Sequence, residues 1–183
     1  MTLTPAFHLE VLPTEDRERS VCDHCGFVDY RNPRIVVGSV VTWTPPGEAE
    51  PRILLCRRAI EPRRGFWTLP AGFMETGESV RDAARREARE EAGCEIEIDA
   101  VLAVYDVVHV QQVQVMFRAA LVDGRFEAGP ESLECALFAW DEIPWDEIAF
   151  PSARWALDHW RESRALAAFP PFGNPGPEEP EPR

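Results

Sequence analysis

The sequence predicts a mixed α/β domain, on three observations: β-rich apolar runs at 35–43 and 53–56, apolar and polar alternation just beyond residue 95, and two segments of helical periodicity at 79–92 and 151–167. A chain of 183 residues is enough for one compact domain with a real hydrophobic core and is short for two.

Residues 1–20 are polar, carry Pro5, Pro13 and the charged run Glu15 to Arg19, and read as an extended lead-in. The segment CDHCGFVDYRNP (22–33) combines a C-x-x-C pair with a glycine and a proline, which suits a knuckle or tight turn. IVVGSVVTW (35–43) is a buried strand, PPGEAEP (45–51) breaks it, and ILLC (53–56) should pair with it antiparallel. Further strands are expected at 95–108, 111–122 and 135–140. The first helix has Ser79 as N-cap, Asp82 three residues on in a weaker capping box, and Gly93 just past its end. After the second helix, PPFGNPGPEEPEPR is rich in proline, glycine and acid and is expected to be a disordered tail. The resulting organisation is a lead-in and knuckle at 1–34, a domain at 35–168 and a tail at 169–183.

Composition narrows the function. No stretch approaches the roughly 18 apolar residues of a membrane span, and the first 20 residues lack a signal peptide's basic start and apolar run, so a cytoplasmic protein without a membrane partner is expected. Five scattered cysteines are an odd number and read as reduced thiols. A formal charge of −13 repels nucleic-acid phosphates, and a nucleic-acid partner is not expected. The same charge repels a phosphorylated small molecule, which then needs an arginine cluster or a bound metal.

The first helix carries the chemistry. At about 100° per residue, Val80, Ala83, Ala84 and Ala88 mark its apolar face, and Glu87 and Glu91 fall in the middle of that face. Glu90 lies one step round, so three carboxylates stand where a plain amphipathic helix would place leucines. Buried unpaired carboxylates are costly, and a cation is the usual compensation. Arg85, Arg86 and Arg89 are alternative partners, although side chains one or two apart on a helix do not face each other. An all-oxygen donor set favours Mg²⁺, with Mn²⁺ able to substitute, over zinc.

Gly72, five residues, Glu78, seven residues, then Arg86-Glu87 and Glu90-Glu91 and Gly93 resembles the signature box of the Nudix hydrolases. Ala88 and Cys94 stand where that family usually has larger aliphatics. The flank TLPAGFMETGES (68–79) resembles that family's approach to the box, and GPESLECALFAWDEIPWDEIAFPS (129–152) together with CDHCGFVDYRNPRIVVG and LLCRRAIEPRRGFWTLPAG resembles a branch that includes ADP-ribose and FAD pyrophosphatases. The resemblance implies an α/β/α sandwich with a mixed sheet and Mg²⁺-dependent cleavage of the pyrophosphate bond in a nucleoside-diphosphate-linked small molecule, with a homodimer as an open option. It implies Glu87, Glu90, Glu91 and the Ala71 carbonyl as metal ligands and Arg86 as the residue that orients a catalytic glutamate. The proton acceptor is a box glutamate or a loop acid, Glu131 or Glu134. Glu78 supports the loop or a second metal, or is simply an acid at the helix N-terminus.

Arg57, Arg58, Arg63 and Arg64 could hold the distal phosphate or form a solvated basic loop. Trp67, Phe73 and Tyr105 could stack on a planar ring or belong to the core. Related sequences carry two C-x-x-C pairs in a zinc ribbon, whereas this chain has Cys22 and Cys25 with His24 between them and His8 upstream, which favours a metal-free remnant. A nucleotide sensor without turnover is the competing reading, and it leaves the intact acids unexplained.

Overall fold

A computed structural model describes residues 6–176, in two compact units divided between Pro33 and Arg34. The first unit is a three-stranded antiparallel sheet. Its strands are β1 (Phe7–Val11), β2 (Glu18–Cys22) and β3 (Val28–Asp29). From Phe7 on, the expected extended lead-in is a hairpin, with Phe7 opposite Cys22 and Val11 opposite Glu18, and its first five residues lie outside the described residues. The alternation Phe7, Leu9, Val11 is a strand signal, masked by the short run and the flanking prolines. Cys22 and Cys25 flank a turn in which the Gly26 amide donates to the Cys22 carbonyl. His8 is engaged with Asp23 at 2.6 Å rather than with the thiols.

In the second unit, β4 (Arg34–Trp43), β5 (Arg52–Arg58), β6 (Trp67–Thr68) and β7 (Ala71–Phe73) precede α1 (Val80–Ala92). Then come β8 (Ile96–Val107), β9 (Gln112–Leu121), β10 (Ser132–Phe138) and α2 (Pro151–Ser163). The sheet runs β10-β5-β4-β9-β8, with β6 on β5 and β7 on β4, and only β4 and β9 are parallel. β4 and β5 pair antiparallel through Thr42–Ile53, as expected from sequence. One face packs Val37, Val41, Leu54 and Phe117 against Ala83, Ala84, Ala88 and Ala92 of α1. The other packs Val40, Leu55, Tyr105 and Met116 against Ala153, Ala156, Leu157 and Trp160 of α2. The result is a three-layer α/β/α sandwich with a mixed sheet.

α1 begins and ends where the sequence places it. The Ser79 side chain accepts from the Asp82 amide, and Gly93 adopts φ 55°, a left-handed cap that glycine adopts without a Cβ penalty. α2 is shorter than the expected 151–167, because its last regular turn ends at Ser163 and Arg118 takes the carbonyls of Ser163 and Leu166.

The expected disordered tail does not start at 169. Phe169 and Phe172 pack on the α2-side core, and Phe172 stacks on His159 with centroids 4.4 Å apart. The Val104 amide donates to the Phe172 carbonyl, the Phe172 amide to Leu102, and the Asn174 side-chain amide closes a pair of bonds with the Asp106 backbone. This segment covers the otherwise open edge of β8, and two aromatics supply the burial that the surrounding prolines and glycines lack. The remainder of the expected tail, 177–183, lies outside the described residues. No helix among the described residues is long and apolar enough to cross a membrane.

Candidate active site

Glu87 and Glu91 are 7% and 6% exposed, on the face of α1 that meets the sheet. Their burial depends on β7. Directly opposed residues of an antiparallel pair project to the same face, so Val37–Gly72 faces α1 while Gly38–Ala71 and Val36–Phe73 face the other way. A Cβ at Gly72 would overlap the Glu87 carboxylate far inside van der Waals contact, so the glycine is the space that carboxylate fills. The Ala71 amide donates to Glu91 Oε2 at 2.9 Å.

Burial raises the Glu91 carboxyl to about 8, with the Ala71 amide and Arg58 opposing the rise and Glu87 and Glu131 adding to it. Burial likewise raises Glu87, against the lowering effect of Arg86. Two buried carboxyl groups whose charge the site penalises are oxygen donors suited to a hard cation, which would offset that charge.

Arg86 organises the acids. Its Nη1 donates to Glu87 at 2.7 Å and to Glu90 at 2.9 Å, and its Nε and Nη2 donate to the two oxygens of Glu78 at 3.1 and 2.8 Å. Nη2 also donates to the Phe73 carbonyl at 2.9 Å. Adjacent helix residues meet here against the expectation from sequence, because the long arginine side chain bends back across its own turn to reach Glu87. Glu78 is held below its ordinary carboxylate range by Arg86. Glu90 is exposed, so the three acids do not converge equally: two are buried and one stands at the rim. Among the described residues, no three acidic, imidazole or thiol groups close around a single point.

The loop acids separate. Glu131 is close enough for its charge to act on both Glu87 and Glu91, whereas Glu134 lies on β10 and pairs with Arg57 at 3.4 Å. The Glu131 loop is clamped to the helix. The Glu127 amide donates to Ala92, and the Gly129 amide donates to Glu91. A Cβ on Gly129 would overlap the Glu90 carbonyl. The sequence marks the glycine and proline before Glu131 but carries no signal that this glycine exists for a close backbone crossing.

Among the arginines, Arg58 is the one whose charge acts on Glu91, and its guanidinium lies over the Phe150 ring at 5.1 Å. Arg57 is turned to the Gly65 carbonyl and Glu134, Arg63 lies over Phe66, and Arg64 is exposed in the same hairpin loop. Two of the three candidate stacking residues are core instead. Trp67 is 6% exposed and packs edge-on against Phe138, and Tyr105 is fully buried and shares a 2.7 Å hydrogen bond with His159. Both lie on strands deep between the sheet and α2, where an aromatic side chain contributes packing rather than a platform. Phe73 is 43% exposed, beside the Arg86 contact, with Arg34 over its ring at 4.6 Å. Neither Arg34 nor Phe150 carries a sequence signal, since each joins the site only through strand pairing or chain return.

The arrangement can hold a divalent cation between buried carboxylates and present a phosphate to an arginine and a neighbouring acid. A family model described as the NUDIX domain matches residues 33–160, and the chain belongs to the Nudix hydrolase family. It is an enzyme of the Nudix pyrophosphohydrolase class. The chain is 29% identical over 138 residues to an ADP-ribose pyrophosphatase of Methanocaldococcus jannaschii, covering 72% of this chain and 76% of that protein. It is 30% identical over 163 residues to the NAD-capped RNA hydrolase NudC of Pseudomonas aeruginosa, covering 87% of this chain but only 55% of that protein. The crystal structure of a NUDIX hydrolase from Nitrosomonas europaea superposes with a TM-score of 0.82 at 40% identity, covering 92% of this chain and 93% of that one.

Proposed function

We propose that the protein hydrolyses the pyrophosphate bond of a nucleoside diphosphate linked to a second moiety, with ADP-ribose or FAD as the preferred substrates. The observation that carries this reading is the buried Glu87–Glu91 pair seated over Gly72, beside the charge of Arg58. Glu87 and Glu91, with Glu90 at the rim and the Ala71 carbonyl, would hold Mg²⁺, for which Mn²⁺ can substitute. An ion that keeps several waters and takes one or two protein carboxylates together with substrate phosphates does not need three acids converged on one point. When bound, such an ion neutralises the non-bridging oxygens and lowers the pKa of the attacking water.

The chain's own residues do the rest. Arg58 holds a phosphate oxygen, while Arg86 fixes the rotamers of Glu87 and Glu90 through its shared donors. Glu131, within electrostatic reach of both buried acids, takes the proton from the attacking water. Phe73 offers the exposed ring face on which a base or isoalloxazine stacks.

Chromatographic detection of the products across nucleotides (AMP with ribose 5-phosphate from ADP-ribose, AMP with FMN from FAD), with and without Mg²⁺, tests this reading. ADP-ribose or FAD should show higher kcat/KM than nucleoside triphosphates or diadenosine polyphosphates, and turnover should vanish on chelation. Preference for a triphosphate would overturn the substrate class, and tight binding without turnover would favour a sensor. Phe73→Ala should raise KM about fivefold with kcat nearly unchanged, because stacking of this kind contributes roughly 1 kcal/mol. An unchanged KM would remove Phe73 from the site.

A further inference from the structure

Cys56 on β5 and Cys135 on β10 are direct partners in an antiparallel pair, and their sulfurs stand 3.4 Å apart. Directly opposed residues in such a pair have Cα separations of about 4.5 or 5.5 Å, both inside the range a disulfide spans, and their side chains leave the sheet on the same face. Both belong to the α1-side core, where Cys56 is 1% exposed and Cys135 is half-buried. Cys135 Sγ also touches the Glu91 carbonyl at 3.5 Å, so the pair lies behind the last turn of the helix that bears the acids. The other three cysteines are separate: Cys94 turns to the Ala88 carbonyl, and Cys22 and Cys25 lie in the N-terminal unit.

We propose that Cys56 and Cys135 are a reversible redox modification site, converted by a hydroperoxide into a cross-strand disulfide. The half-buried Cys135 reacts first: its sulfur takes one peroxide oxygen, the O–O bond breaks, and the hydroperoxide leaves as an alcohol or water. Cys56 then attacks the sulfenic sulfur. The S–S bond forms, the S–O bond breaks, and the hydroxyl departs as water with the Cys56 proton. Two electrons from the two thiols have then reduced one peroxide. The sulfurs close from 3.4 Å to about 2.05 Å, a shift that side-chain rotation within the existing strand pairing accommodates. The bond links residues 79 positions apart, which constrains the unfolded chain strongly.

Exposing the whole purified protein to hydrogen peroxide, blocking remaining thiols by alkylation and mapping peptides without reduction tests the proposal independently of any substrate assignment. The expected result is a peptide pair joined through Cys56 and Cys135, a melting temperature raised by several degrees, and full reversal by dithiothreitol. Cys135→Ser should show neither the link nor the shift. Cys135→Ala serves as a second variant should the serine destabilise the core, and the wild-type map stands without either. Alkylation of both thiols after peroxide treatment, or oxidation confined to Cys22 and Cys25, would overturn the proposal.

Discussion

Glu91→Gln is expected to cut turnover by about 100-fold while raising the melting temperature of the metal-free protein. The two effects share one cause. Glu91 is 6% exposed and its carboxyl is pushed up to about 8, so the folded state opposes the charge that a cation site requires. The amide keeps an oxygen for the Ala71 amide and nearly the same volume, but it has no charge to bury. The sign of the pH dependence follows from linkage. A carboxyl with a folded value above its ordinary 4.5 binds its proton more tightly when folded, and the stability it contributes is present below about 4.5 and lost as pH rises through about 8. The wild-type protein in chelator should therefore lose stability between pH 5 and 8, and Glu91→Gln should lose less. Thermal melts across that range and kcat at saturating Mg²⁺ measure both halves. Turnover near that of the wild type would sink the role assigned to Glu91.

Gly72→Ala is expected to lower kcat by about 100-fold with a small change in melting temperature. The added methyl collides with the carboxylate of Glu87 rather than with backbone, so the side chain swings aside and the fold survives. Displacing a reacting group by about 1 Å can cost this much in rate. Gly129→Ala is the informative contrast, because its Cβ would meet the backbone carbonyl of Glu90, which cannot rotate away. That variant should melt well below the wild type as the Glu131 loop is forced off α1. Comparing the two by kcat and by thermal melting separates a displaced side chain from a displaced loop, and a Gly72→Ala enzyme with unimpaired kcat would remove Glu87 from the chemistry.

Local signals determined much of this protein. Helical periodicity placed α1, its Ser79 and Gly93 caps fixed the ends, and the acids in the middle of its apolar face marked the site, because each of these depends on residues within a few positions of one another. The central strands were legible for the same reason, as long β-rich or alternating runs bounded by turn residues. Tertiary structure decided what depends on distant partners. Trp67 and Tyr105 became core when α2 closed over the sheet, and Phe73 stayed open at the strand end. Arg86 bent back to its neighbour Glu87 because Glu78 and the Phe73 carbonyl hold the other side of its guanidinium. Glu131 and Glu134, three residues apart, went to a box acid cluster and to Arg57 respectively, once β10 had registered on β5. The segment from Phe169 onward reads as tail by composition, yet it docks, since the cost of ordering a proline-rich chain is set by the surface it finds to cover, and that surface, the edge of β8, lies over 60 residues away in sequence.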